Sequence, residues 1–152
     1  MTETNTNEWT TDGAQGNLRR RYLIAMLTKG FVTGIIGGVG AFTYNKSELM
    51  TASIDPQLVL GLTALAGVYA HLLANDLHES IRVGIIGFFV GGTSLIVVWV
   101  APLWILPYTA GARDILLPQL TGTAVTAATM VYAGTFLGAY LTTLTVDAYV
   151  ST

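Results

Sequence analysis

Four long apolar runs dominate the pattern of hydrophobic and polar positions along this chain. They cover about residues 22–42, 57–74, 83–106 and 119–146. Each run reaches the roughly 17–25 residues that an α-helix needs to cross a bilayer. A soluble helix would show a polar face at 3.6-residue spacing, but the third and fourth runs carry no charge at all. The pattern predicts an all-α membrane protein, a bundle of four transmembrane helices.

The polar segments between the runs predict the domain organisation and the orientation. Residues 1–17 hold acids but no base, which is typical of a disordered polar tail, and residues 18–152 form the transmembrane domain. Predicted loops lie at about 43–56, 75–82 and 107–118. If the N-terminus is cytoplasmic, Arg19, Arg20, Arg21 and Arg82 lie on that side, and Lys46 and Arg113 lie on the other. Because Lys and Arg favour the cytoplasmic side, we expect a multi-pass protein with both termini cytoplasmic.

Composition agrees with a membrane protein and excludes several classes of site. Hydrophobic residues make up 52% of the chain and charged residues 11%, against roughly 25% charged residues in soluble domains. The mean hydropathy is +0.58. The chain has no cysteine, so it has neither disulfides nor thiolate metal sites. A net charge of −2 gives no electrostatic reason to expect nucleic-acid binding.

Two sequence patterns recur and suggest an internal repeat. Gly-Ile-Ile-Gly at 34–37, in the first run, recurs at 84–87 in the third. The pattern Gly-x-Tyr-x-x-x-Leu-x-x-Asp closes the second run at 67–76 and recurs at 138–147. One interpretation is two tandem helical hairpins related by an axis along the membrane normal. The alternative, which we favour, is chance in a chain with 17 glycines.

Glycines at four-residue spacing form the main packing motif, a glycine zipper. The predicted helix-packing glycines are Gly30, Gly34 and Gly38 in the first run, Gly87 and Gly91 in the third, and Gly134 and Gly138 in the fourth. This spacing puts a smooth strip on one helix face, so that backbones approach closely where lipid removes the hydrophobic driving force. We favour packing inside the bundle over self-association or docking to a partner, and both interpretations stay open.

Lys29 is the only charge well inside a predicted span. It lies about 12 Å along the helix from Arg21, at 1.5 Å per residue. A charge within the membrane marks a candidate functional site, and Lys29 shares its helix face with Thr33, Gly37 and Gly40, which points it into the bundle. We nevertheless favour the simpler interpretation, in which its ammonium snorkels to the headgroups.

A candidate polar cluster gathers toward the predicted cytoplasmic face. Its members are Lys29, His71, Asp76, His78, Glu79 and Arg82. Titratable groups at this depth suit a proton or ion relay. A plainer interpretation is that Asp76 and Glu79 form a capping box that starts the third helix, with Arg82 paired to Glu79.

The sequence assigns no cofactor, metal or catalytic residue. His78 and Glu79 lack the His-Glu-x-x-His spacing of zinc hydrolases. His71 is the only histidine inside a run, whereas bis-histidine haem ligation needs two. Nucleophile elbows, phosphate loops and dinucleotide fingerprints are missing from the sequence. We expect a protein that is not an enzyme.

The composition resembles that of small, uncharacterised multi-pass membrane proteins of halophilic archaea or their viruses. The shared features are an acidic, threonine-rich tail, only two lysines, abundant Gly, Ala, Val and Thr, and no cysteine. The resemblance implies a cell or virion membrane in high salt, and it transfers no functional residue.

These patterns favour a structural, assembly or accessory protein over an enzyme. Its partners would be the lipid bilayer and either a second copy or a larger membrane protein, with no nucleic acid. The alternative is a small oligomeric transporter or channel, in which Lys29 and His71 line a pathway between bundles.

Overall fold

The structure, a computed structural model, describes residues 8–46 and 55–150, with side chains described from Gly16 onward. These residues form helices and connecting turns, with no strand among them. The helices are α1 (Glu8–Asn45), α2 (Pro56–Leu72), α3 (Leu77–Val100), α4 (Pro102–Ile105), α5 (Ala110–Ala127) and α6 (Gly134–Val150). A π-helical segment, Ala128–Ala133, joins α5 to α6 without a break. The predicted all-α class is confirmed.

Three helical stretches are long and apolar enough to cross a membrane. They are Gly16–Asn45, Leu77–Ile105 and Ala110–Val150. The last of these combines α5, the π segment and α6 into one rod. Helix α2 is also apolar but has only 17 residues, a length of about 26 Å at 1.5 Å per residue. The sequence predicts four spans, and the structure has three membrane-length helices and one shorter apolar helix at those positions.

Short polar side chains cap the N-termini of three helices, α2, α3 and α5. An oxygen of Asp55 accepts a hydrogen bond from the main-chain N–H of Gln57 (2.9 Å), and Asp76 accepts one from that of Glu79 (2.6 Å). Thr109 accepts one, at 3.4 Å, from Ala112. Each bond satisfies a donor in the first turn that has no partner within the helix.

Two helices extend further than the sequence predicts. Helix α1 begins at Glu8, so residues 8–17 are helical instead of disordered, and residues 1–7 of the predicted tail lie outside the described part. Extending an existing helix avoids the cost of nucleation. Helix α5 begins at Ala110, inside the predicted third loop, and Pro118 lies within it. The Nε of Arg113 donates to the carbonyl of Leu103 (3.1 Å), which holds the first turn of α5 against α4.

The close contacts define how the helices run. Gly30 lies against Ile86 and Gly38 against Ser94, so α1 and α3 run parallel. Gly37 meets Ala66, whereas Gly40 meets the earlier Thr63, so α1 and α2 run antiparallel. By the same criterion α3 and the rod at 110–150 are antiparallel, because Gly91 contacts Tyr132 and Gly84 contacts Tyr140. The result is a bundle in which α1 and α3 form the most extensive contact.

Aromatic rings from the last rod fill the centre of the bundle. Tyr132 and Phe136 are fully buried, with ring centroids 5.3 Å apart, and Phe88 of α3 stacks on the other side of Tyr132 at 6.1 Å. Tyr140 and Trp99 are also buried. Side chains of this size have room in the centre because the neighbouring helices present glycine.

Candidate functional site

Two consecutive polar residues at the start of α3 lie inside the bundle. Glu79 and Ser80 are each only 1% exposed. Their position follows from the cap: Asp76 precedes the helix, so Glu79 and Ser80 fall in its first turns, where α1 and α2 cover them. A buried carboxylate is costly unless it is paired and hydrogen-bonded. The partners of these two residues therefore define the candidate site.

Glu79 receives three hydrogen bonds. The Nζ of Lys29 donates to its Oε1 at 2.7 Å, and the main-chain N–H and side-chain Nδ2 of Asn75 donate to its Oε2 at 3.0 and 2.7 Å. The side chain of Lys29 is 25% exposed. The ammonium of Lys29 is therefore paired with a counterion of the bundle, and its snorkelling to the headgroups stays a prediction. The same arrangement leaves Glu79 engaged by Lys29 and not by Arg82.

Ser80 links three helices through a second polar chain. Its hydroxyl lies 2.8 Å from Nδ1 of His71 on α2 and 3.2 Å from the hydroxyl of Tyr140 on α6. The other ring nitrogen of His71, Nε2, lies 3.4 Å from a carboxylate oxygen of Asp147. Asp147 is 67% exposed at its side chain, so this chain leads from the interior to the surface of the bundle.

The structure brings together some members of the predicted polar cluster and separates others. Lys29 and Glu79 are in direct contact. His71 does not touch Glu79 but is hydrogen-bonded to the next residue, Ser80. Asp76 caps α3, although Glu79 bonds back to Asn75, so only half of the predicted capping box forms. His78 and Arg82 are exposed, because they lie on the outward face of the first turns of α3.

Five of the predicted packing glycines lie in one seam between α1 and α3, which we call the glycine seam. Its members are Gly30, Gly34, Gly38, Gly87 and Gly91. A Cβ added at Gly34 would lie 2.7 Å from the carbonyl oxygen of Gly87 and 2.8 Å from Cβ of Val90, and one added at Gly30 would lie 2.6 Å from Ile86. Any larger residue would force the two backbones apart. Tyr132 uses the space beside Gly91 and donates a 2.7 Å hydrogen bond to the carbonyl of Gly87.

The prediction of contacts within the bundle does not hold for Gly134 and Gly138. Both are exposed, and apart from the adjoining residues and backbone of their own helix, no atom of the described residues lies within 4 Å of a Cβ at either position. Tyr132, Phe136 and Tyr140 follow each other at four-residue spacing and face the core. Positions two residues away from Phe136 lie about 200° around a helix, so these two glycines face outward.

Several residues of the site were not selected from the sequence. Gly67 packs against the main chain of Phe136, and Gly40 packs against Thr63, although neither belongs to a four-residue glycine repeat. Asn75 and Ser80 belong to no sequence motif that would have selected them. Tyr140 and Asp147 belong to the recurring pattern at 138–147, which gives no indication that they meet His71.

The chemistry open to the described residues is limited. No three His, Asp or Glu side chains among them come close enough to hold a metal ion. Glu79 accepts three hydrogen bonds, and His71 bridges Ser80 and Asp147. Both chains tie helices to one another: Glu79 joins α3 to α1, and Ser80 joins α3 to α2 and α6. The arrangement fixes the relative positions of four helices at one end of the bundle.

Comparison of this chain with protein families, with curated proteins and with solved structures finds no significant match.

Proposed function

We propose that this chain is a non-enzymatic structural or accessory protein of a membrane, which crosses the bilayer four times and packs against itself or a larger membrane protein. The glycine seam carries this proposal. Along it, α1 and α3 approach so closely that a Cβ at Gly34 or Gly38 would collide with the opposite helix. A bundle closed in this way suits a rigid packing unit better than a conduit.

Exposed threonines support a lipid-facing surface. Their hydroxyls donate to the carbonyl four residues earlier in the same helix, at 2.7 to 3.0 Å, in Thr123, Thr126, Thr129, Thr142 and Thr145. A hydroxyl that is satisfied within its own helix needs no water and can face hydrocarbon. The exposed side chains around them include Val125, Met130 and Leu141.

The proposed topology puts both termini on the cytoplasmic side. The antiparallel order of α1, α2, α3 and the rod at 110–150 allows four crossings, with α2 as the shortest. Arg19, Arg20, Arg21 and Arg82 then lie on the cytoplasmic side, and Lys46 and Arg113 lie on the other. A cell or virion membrane in high salt, as the compositional resemblance implies, is part of this proposal.

The contact with a partner would be made by Gly134 and Gly138. The glycines of the seam are already used between α1 and α3, whereas these two are exposed and meet nothing within the described chain. Small residues spaced by four on an exposed face of a membrane helix allow close approach of a second helix.

Native mass measurement tests this function. The complex is extracted gently into nanodiscs from its own membrane, and every co-purifying chain is identified. We expect either a homo-oligomer or a fixed ratio to a larger membrane protein, and we expect Gly138→Leu to abolish it. Gly61→Leu is the matched control, because Gly61 is also an exposed helical glycine with no neighbour within 4 Å. A wild-type monomer without any partner would contradict the proposal.

A small oligomeric transporter or channel is the second candidate. The observation that favours it is the Lys29–Glu79 pair, since a charged pair at membrane depth is costly to keep without a role. In that case ion or proton flux into proteoliposomes should exceed that of empty liposomes and should fail in Lys29→Leu and His71→Leu. Flux that is no higher than in empty liposomes for the wild type excludes this candidate for the ions tested.

A further inference from the structure

A cavity opens at the end of the bundle opposite the Lys29–Glu79 pair. It measures about 560 Å³ and lies between the C-terminal ends of α1 and α3, the short α4 and the helix α5. Its walls include Phe42, Lys46, Trp99, Leu103, Tyr108 and Leu120. In the proposed topology these residues lie at the outer ends of the spans, at the level of the lipid headgroups.

The polar side of the cavity offers a cation that has no counterion among the described residues. The Nζ of Lys46 lies 4.5 Å from the centre of the Trp99 ring, a cation–π contact. No Asp or Glu of the described residues lies within the 4 Å that an ion pair with Lys46 requires. An anion at this point would therefore meet a positive charge and no competing carboxylate from the described chain.

Trp99, which also lines this cavity, has an unsatisfied hydrogen-bond donor among the described residues. The residue is only 5% exposed, and its Nε1–H has no hydrogen-bond partner among the described residues. Buried indole N–H groups usually have an acceptor, because an unsatisfied donor is costly. Nε1 itself is closed to solvent, so an anion held by the Lys46 ammonium, which lies over the same ring, reaches the indole N–H only when the cavity wall shifts on binding.

Apart from the hydroxyl of Tyr108, the side chains in the remainder of the wall are apolar. Phe42, Leu103 and Leu120 carry no polar side-chain atom, and they continue from the cation toward the interior of the span. A free inorganic anion would leave this part of the cavity unused. A ligand with an anionic group at one end and a hydrocarbon chain at the other matches both parts.

We propose that this cavity binds one phospholipid with a net-negative headgroup. The phosphate lies on Lys46, one of its oxygens accepts from Nε1 of Trp99, and an acyl chain lies along Leu103 and Leu120. The proposal rests on the proposed membrane location. It is independent of the partner contact at Gly134 and Gly138.

Native mass spectrometry of the full chain in detergent tests the site. The probes are phosphatidylglycerol and phosphatidylcholine with identical acyl chains, together with water-soluble glycerol 3-phosphate. We expect one phosphatidylglycerol to be retained in preference to phosphatidylcholine, and Lys46→Gln to weaken it roughly fivefold, the worth of one lysine at an anionic lipid surface. Trp99→Phe, which keeps the ring and removes the donor, should weaken retention in the same direction.

Arg82→Gln is the control, since it removes one exposed positive charge that lies away from the cavity wall. Equal retention of the two lipids by the wild type would overturn the proposal, and this arm does not depend on how any variant folds. An equal loss in Arg82→Gln would also overturn it, because the preference would then belong to the net charge of the protein and not to the cavity. Binding of glycerol 3-phosphate as tight as that of the lipid would assign the site to a soluble anion. If the protein does not co-fractionate with membranes at all, the membrane proposal itself fails.

Discussion

The ammonium of Lys29 lies 2.7 Å from Oε1 of Glu79, a residue 50 positions further along the chain. The pair joins α1 to α3 just below the first glycine of the seam, Gly30. Glu79 is 1% exposed, and Asn75 supplies its other two donors. The charge that the sequence shows inside a membrane span is therefore neutralised within the bundle and fixes the register of its two most closely packed helices.

Removing the ammonium should destabilise the bundle strongly. In Lys29→Met the carboxylate of Glu79 stays buried with only Asn75 as a partner, and breaking a buried pair in this way costs about 3 kcal/mol. The unfolding free energy in mixed micelles measures the loss. Lys46→Met is the control, because among the described residues the ammonium of Lys46 makes only a cation–π contact, worth about 1 kcal/mol or less.

The double variant Lys29→Met/Glu79→Met distinguishes a buried charge from a lost contact. Replacing both partners by apolar side chains should recover most of the stability, since no uncompensated charge remains. A double variant that is as unstable as Lys29→Met alone would show that the unpaired carboxylate is not the cause.

A single methyl group in the seam should separate α1 from α3. In Gly34→Ala the new Cβ would lie 2.7 Å from the Gly87 carbonyl oxygen, so the helices must move apart, at a cost of about 1–3 kcal/mol for an overpacked contact. Thermal unfolding followed by circular dichroism measures it. Gly61→Ala has the same change in helix propensity without a neighbour within 4 Å, and it should be neutral or stabilising. Equal melting temperatures for the two variants would contradict the packing assigned to the seam.

The hydroxyl of Tyr132 should contribute a measurable hydrogen bond at the centre of the bundle. It donates to the carbonyl of Gly87 at 2.7 Å, and the ring around it is fully buried. We expect Tyr132→Phe to lower the unfolding free energy by about 1 kcal/mol, the usual net worth of such a bond. Tyr69→Phe, at a ring that is 49% exposed, is the control and should have no effect. An equal decrease of the unfolding free energy in both variants would contradict a stabilising role for the Tyr132 hydrogen bond.

The sequence predicted the helices and the glycine strips on them better than it predicted which face of each helix points into the bundle. Glycines at 30, 34 and 38 share one helix face at any register, so a smooth strip on α1 follows from spacing alone. Gly134 and Gly138 have the same spacing, yet they face outward, because the large rings of Tyr132, Phe136 and Tyr140 occupy the inner face. Spacing shows that residues share a face but does not show what covers it.

The candidate site was predictable only in part for the same reason. Lys29, His71 and Glu79 could be placed at one end of the bundle from the order of the spans. Their partners could not: Asn75 and Ser80 are ordinary polar residues at a helix start, and contacts across 50 or 60 positions depend on a helix register that no local pattern specifies. The π segment at 128–133, which sets the phase of α6, likewise has no motif.

Every proposal above rests on the claim that the chain crosses the membrane four times, with α2 as a full span. Since the chain has no cysteine, single cysteines give a clean measurement of sidedness with a membrane-impermeant thiol reagent. Suitable positions are exposed in the structure and lie near the ends of the apolar helical stretches: Asn17, Gln57, His78, Gly111 and Val150. Four crossings predict that cysteines at 17, 78 and 150 react from one side and those at 57 and 111 from the other. Reaction of the cysteine at 78 from the same side as that at 57 would show that α2 does not cross, and would contradict the account.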